Sequence, residues 1–290
     1  MENSYFINFT FNKICIFLIL VIIFYLKLRL SNLKISIIIP TYNRGKIISN
    51  SIKSVLNQTF KNLEIIVIDD GSNDNTKEVI DKLNDDRIKY IKLNKNCGGS
   101  FARNLGIKIA SGQFISFQDS DDIFLPNKIE MQLKNIINKK SDLDFCKIKV
   151  FINSTFDYLV PNCQQEKSIL EGNIISDLIS KGNFISTQAI LIKKKLMQAH
   201  LFDPKIPRLQ DYDIILSMIP KVRISYTKKV LVELHIQKNS LTLSQEKLKK
   251  AIYILLNKNY NFNAEQKVNF LNYLTNISIA FFKKSSKKKY

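Results

Sequence analysis

Residues 117–126 read FQDSDDIFLP. Asp119, Ser120, Asp121 and Asp122 follow directly on an apolar run, in a chain whose formal net charge is +19. Three carboxylates within four residues repel one another, so either a cation sits among them or the turn is simply solvated. Asp119 and Asp121 lie two apart. On an extended or turning segment they can share one hard cation, and Mg²⁺ or Mn²⁺ suits such oxygen ligands, especially when phosphate oxygens complete the shell. Asp122 could orient the loop or support a ligand from behind. For this tripeptide alone, a solvated acidic turn is the simpler account, since the pattern is common.

Other residues could do chemistry elsewhere in the chain. Asp69 and Asp70 end the run EIIVIDD, where a carboxylate can bond ribose hydroxyls or a base N–H; DDGSND also reads as a helix cap. RLQDYD, residues 208–213, opens a helix. Asp211 there is either a cap favoured by the helix dipole or a general base in a cleft. His235 is one of two histidines, either structural or a third metal or phosphate contact. Arg103, among neighbouring glycines, faces a phosphate or lies on a helix surface.

These groups need a scaffold. ISIIIP (35–40), EIIVIDD (64–70), IKYIKL (88–93) and QFISF (113–117) are short apolar runs that predict buried strands. Between them, residues 46–58 place Ile47, Ile48, Ile52, Val55 and Leu56 on one helical face, GSNDNT leads into a capped helix, and residues 98–112 predict a helix with Phe101, Leu105 and Ile109 four apart. Alternating strands and helices predict βαβ units, an α/β fold with a mostly parallel sheet. Ligands of such sheets bind beyond the carboxyl ends of the strands, where Thr41-Tyr42-Asn43, Asp69-Asp70-Gly71-Ser72 and the Asp119 cluster fall. Farther along, the pattern predicts a helix over 127–139, a strand over 143–150, a loop over 151–167, a helix near 168–181, a strand near 185–192, a helix near 211–219 and a strand pair within 223–236. Two basic helices close the chain.

Residues 14–26, ICIFLILVIIFYL, are uninterruptedly apolar and are followed by Lys27, Arg29 and Lys34. They predict a membrane anchor with the body of the protein on the cytoplasmic side, or else an apolar helix lying on or in the protein. The run is short for a span of roughly 20 residues. The expected division is therefore an anchor or apolar helix over 1–33, a main domain over 34–240 and a basic helical segment over 241–290. Four scattered cysteines without a CxxC pair argue against a zinc or disulfide framework. The positive charge calls for an anionic partner, and the lysines of KKSSKKKY suit lipid head groups beside an anchor or a solvated end.

Taken in order, SIIIPTYNR, IIVIDDGSNDNT, NCGGSFARNLGIKIASGQFISFQDSDDIFLP and RLQDYDIIL resemble the family 2 glycosyltransferases over roughly residues 34–235. The resemblance implies a GT-A nucleotide-sugar-binding fold. It implies transfer of a sugar from a nucleotide-sugar donor, usually a UDP-sugar, to an acceptor hydroxyl with inversion, in the presence of Mn²⁺ or Mg²⁺. Pro40, Thr41 and Tyr42 match the base-binding loop, and Asp70, with Asp69 beside it, matches the acid that holds the uridine. Arg103 and Asn104 match the positions near the donor. Asp119 and Asp121, flanking Ser120, match the metal-binding DxD, Asp211 matches the catalytic base, and His235 resembles a late histidine near the diphosphate. Many relatives carry Glu where this chain has Gln210. The expected acceptor is a glycan, a lipid-linked sugar or a protein.

A nucleotidyltransferase would want a glycine-rich basic loop after the first strand, and PTYNRG is not one. A non-catalytic nucleotide-sugar-binding or membrane-associated protein would not need both Asp121 and Asp211. A nucleic-acid-binding protein explains the charge but not the ordered acids.

Overall fold

The computed structural model describes residues 33–236 and 244–286. The apolar run at 14–26 lies outside them. Among the described residues no helix is long and apolar enough to cross a membrane.

The first half alternates as the hydrophobic pattern requires: β1 (Ile35–Thr41), α1 (Ile48–Leu56), β2 (Leu63–Asp69), α2 (Thr76–Asp81), β3 (Ile88–Lys92), α3 (Gly99–Ile109) and β4 (Phe114–Phe117). The order β3-β2-β1-β4 is parallel throughout. β1 and β2 are buried along almost their whole length, which is why they read as continuous Ile/Val runs and not as alternating ones. Helix α3 packs on β1 and β2. Its fully buried positions are the small side Ser100, Ala102 and Gly106 with Ile107; Leu105 and Ile109 pack half-buried against the core, and Phe101 is exposed. The helix lies so close to β1 that a Cβ on Gly106 would come 2.5 Å from Ile38.

Beyond β4 the sheet is mixed, where the sequence predicts a mostly parallel one. β5 (Ile123–Phe124), α4 (Lys128–Lys139), β6 (Leu143–Ile152) and β7 (Thr155–Val160) are followed by α5 (Cys163–Leu170), α6 (Ile174–Lys181) and a short 3-10 turn, Thr187–Ala189. Then come β8 (Ile190–Lys193), α7 (Lys194–Ala199), α8 (Gln210–Met218), β9 (Ile224–Ile236), α9 (Gln245–Leu256) and α10 (Ala264–Ser286). β8 runs antiparallel to both β4 and β6, while β9 runs parallel to β6. Ile224–Ile236 thus form one long strand with a bulge, where Cys146 faces Thr227 and Lys147 faces Val230, and not a strand pair. The predicted loop at 151–167 contains β7, hairpinned onto β6 through Asn153 and Ser154 at positive φ, and the start of α5. The single helix expected near 168–181 is broken at Gly172, whose φ is +93°.

The C-terminal helices join the same core. Phe270 and Leu274 of α10 are buried, and Phe270 and Tyr273 pack against the Tyr212 ring of α8. Buried Asp213 takes hydrogen bonds from Lys258 (2.7 Å) and Tyr260 (2.6 Å).

Candidate functional site

Loops at the carboxyl ends of β1, β2 and β3 are tied to one another before they meet any ligand. The Asp70 N–H donates to the Thr41 carbonyl (2.8 Å) and the Asn43 N–H to Ser72 Oγ (2.8 Å). Gly71, at φ +84°, passes so near the 95–96 backbone that a Cβ there would lie 2.9 Å from the Lys95 carbonyl carbon. This closeness lets Asp70 accept the N–H groups of Cys97 and Gly98, both at 2.7 Å. Asp69 is fully buried and accepts from the Ser72 N–H (2.8 Å) and the Tyr90 hydroxyl (2.5 Å). Asp69 therefore holds the turn and does not line the cleft, whereas Asp70 lines the cleft while bracing its next loop.

The cleft has a volume of about 810 Å³, within the size of small-molecule sites. Pro40, Thr41, Tyr42, Asp70, Arg103, Asp119, Ser120, Asp121, Asp211 and His235 all line it. Asn104 does not. Its amide donates to the Phe202 carbonyl (2.8 Å) and accepts the Phe202 N–H (2.9 Å), so it clamps a remote loop to α3. Thr41 Oγ1 is buried without a hydrogen-bond partner.

The acidic cluster is divided by its neighbours. Asp119 receives Arg103 Nη2 on one oxygen and Gln188 Nε2 on the other, each at 2.7 Å. Buried Asp122 accepts Gln188 Nε2 (2.8 Å) and the His235 N–H (2.9 Å). Burial, then the charges of Asp119 and Asp121, push the Asp122 carboxyl well above its ordinary range. Asp121 is left with Arg44 at 3.7 Å. Burial and the nearby Asp119 charge push its pKa up.

These features bear on a divalent cation. Asp121 is a cleft-lining carboxylate whose charge lacks full compensation, and a hard cation would supply it, so the residue fits that group. The trio Asp119, Asp121 and His235 does not form a ready ligand set: no cluster of three metal-binding side chains occurs among the described residues. Both Asp119 oxygens are already bonded, and the His235 ring stacks on Phe151, with centroids 5.0 Å apart and planes 7° apart.

In the same cleft, the chain turns through Leu209 at φ +64° into α8, an arrangement that non-glycine residues adopt at some cost in strain. The turn sets Asp211 in the cleft wall. Its Oδ1 accepts the Tyr212 N–H (2.9 Å), the Asn183 side chain bonds it, and burial raises its pKa against the opposing pull of Arg103. A carboxylate raised in this way is suited to accept a proton. Sequence reasoning missed Arg44, Asn183, Gln188, Arg208 and Lys247, all of which line the cleft. Arg44 directly follows the quoted TYN and could have been read there. Gln188 stands 69 residues from Asp119, with no local signal.

The chain belongs to glycosyl transferase family 2, whose model matches residues 36–198. An uncharacterized glycosyltransferase of Rickettsia conorii is 37% identical over 209 residues, which cover 71% of this chain and 33% of that protein. The UDP-Glc:alpha-D-GlcNAc-diphosphoundecaprenol beta-1,3-glucosyltransferase WfgD of Escherichia coli is 34% identical over 66% of this chain and 72% of its own length. The chain thus spans about a third of the Rickettsia conorii relative and most of WfgD. Among solved structures, S. aureus TarS in complex with UDP superposes with a TM-score of 0.64 at 23% identity, covering 83% of this chain and 70% of that one. The mannosyltransferase PcManGT from Pyrobaculum calidifontis, in complex with GDP-Man and Mn²⁺, gives 0.60 at 13% identity, covering 84% and 68%. These likenesses establish the GT-A fold.

Proposed function

We propose that this protein is a metal-dependent inverting glycosyltransferase that moves a sugar from a UDP-sugar to a hydroxyl of a lipid-linked sugar acceptor at a membrane, in surface polysaccharide or glycoconjugate synthesis. One observation carries the reading: the incompletely compensated carboxylate of Asp121, the Arg103–Asp119 pair and the raised Asp211 face one cleft at the strand ends. The UDP donor and the lipid-linked acceptor are supported by the name of WfgD. A Campylobacter jejuni relative, 36% identical over 57% of this chain, is likewise named for a diphosphoundecaprenol-linked acceptor.

In this reading Pro40, Thr41 and Tyr42 border the base, and the unbonded Thr41 hydroxyl is available to it. Asp70 keeps the 95–98 loop in place beside the nucleoside. Arg103 and Arg44 flank the diphosphate, and Asp121 with the donor's phosphate oxygens would hold Mn²⁺ or Mg²⁺. That cation supplies stabilisation of the negative charge developing on the leaving diphosphate. Asp119, gripped by Arg103 and Gln188, fixes the loop and the guanidinium. Asp211 takes the acceptor hydroxyl proton as the acceptor oxygen bonds the anomeric carbon. The bond from that carbon to the diphosphate oxygen breaks on the opposite face, and the electron pair leaves with UDP. A single displacement of this kind inverts the centre.

The test is UDP release by the full chain from a panel of UDP-sugars, with a prenyl-diphosphate-linked sugar as acceptor. Acceptor-dependent UDP release and a product of inverted anomeric configuration are expected. A retained configuration would overturn the single-displacement role of Asp211.

A further inference from the structure

Four cationic side chains line the cleft: Arg44, Arg103, Arg208 and Lys247. Two are matched, Arg103 to Asp119 at 2.7 Å and Arg44 to Asp121 at 3.7 Å. Arg208 and Lys247 form no ion pair among the described residues. Arg208 Nη1 donates to the Ser244 carbonyl at 3.2 Å, which ties the start of α9, and with it Lys247, to the segment that carries Asp211. Asp211 lies three residues after Arg208, and its charge is felt by the guanidinium. The two cations without an ion pair therefore sit on the segment that carries Asp211 and on the helix tied to it.

The same cleft has an apolar wall. Val150 of β6 stands in register with Tyr158 of β7 and with Leu234 of β9. Side chains directly opposite across neighbouring strands share a face, so the three form one row, and Ile236, two residues beyond Leu234, lines the cleft as well. A nucleoside diphosphate sugar has no hydrocarbon to set against such a row.

We infer that Arg208 and Lys247 form an acceptor subsite for the diphosphate of a prenyl-diphosphate-linked sugar, with the row of Val150, Tyr158 and Leu234 receiving the isoprene units next to it. The inference rests on the glycosyltransferase reading above and specifies its acceptor. Two cations beside the base hold the anionic linker, which brings the sugar hydroxyl to Asp211, and the hydrocarbon leaves over the apolar wall.

The test uses the full chain, with UDP and Mn²⁺ saturating the donor site, titrated with geranyl diphosphate and with geraniol. Geranyl diphosphate is expected to bind at least about tenfold more tightly than geraniol. The double variant R208Q/K247Q should weaken geranyl diphosphate by about tenfold or more and leave UDP affinity within about twofold. A Tyr158→Ser variant should weaken both ligands together. Equal binding of the two ligands, an affinity for geranyl diphosphate unchanged in R208Q/K247Q, or no binding of it at all would overturn the subsite. UDP affinity is measured first in its own titration: a wild-type protein that ignores UDP would overturn the donor reading, while the loss of geranyl diphosphate binding in R208Q/K247Q still reports on the subsite.

Discussion

Arg103 of α3 and Asp119 behind β4 meet at 2.7 Å with only 11% and 29% of their side chains exposed. The pair joins the helix that follows the Gly98–Gly99 turn to the acidic loop, and it presents the guanidinium to the cleft already aimed. Arg103→Lys keeps a charge but loses the planar fork. Turnover should fall by about tenfold or more and UDP should bind more weakly, measured by steady-state kinetics and calorimetry. A variant with unchanged kcat and UDP affinity would contradict this placement.

Asp121 separates activity from stability. Its carboxylate is held against burial and the Asp119 charge, so removing the charge relieves the free protein. Asp121→Asn should lower turnover by about 100-fold or more, the scale of losing electrostatic stabilisation of a developing charge. The melting temperature should stay level or rise. A collapse in melting temperature would mean that Asp121 is structural.

The pH profile should follow Asp211. Burial raises its pKa above the ordinary 3.8, and a base must be ionised to act. kcat/KM should therefore fall as pH drops through a value above 3.8, and Asp211→Asn should abolish turnover while UDP affinity is retained. An Asp211→Asn protein with normal turnover would remove Asp211 from the mechanism.

Asn104 tests the other direction. Both ends of its amide are spent on the Phe202 backbone. Asn104→Ala would leave a donor and an acceptor unpaired, at a cost of about 1–3 kcal/mol in stability, and UDP affinity should change little. Chemical denaturation and UDP titration read the two quantities. A stable variant that fails to bind UDP would place Asn104 at the donor after all.

Glu64 sets an acid limit on the fold. Burial opposes its charge, but hydrogen bonds from the Ser36 hydroxyl, the Ser111 N–H and Lys89 hold its carboxyl well below the ordinary 4.5. A depressed folded pKa contributes stability that is present above pH 4.5 and lost as pH falls below it. Glu64→Gln should be less stable than wild type at pH 7, with the difference shrinking on acidification. Parallel stability curves for the two proteins would contradict the assignment.

Where function followed from a local pattern, the sequence was readable. β1, β2 and β4 are buried on both faces, so their Ile/Val runs stand out, and the site acids sit directly at their ends. β7 was hidden because Thr155–Tyr158 are exposed and carry no core signal. The bulge in β9 was equally silent, because the exposed Lys228 and Lys229 interrupt the buried pattern within one strand. Asp69 and Asp70 look alike in sequence, yet one faces Tyr90 and the other the 97–98 backbone. Gln188 and Lys247 reach the cleft only through tertiary packing. No spacing rule links either to Asp119 or Asp211.

The most direct measurement is calorimetric titration of the full chain with UDP, with and without Mn²⁺, for wild type and Asp121→Ala. UDP binding that requires Mn²⁺ and disappears in Asp121→Ala is expected. No UDP binding under any metal condition, or Mn²⁺-dependent binding that survives in Asp121→Ala, would contradict the proposed donor site.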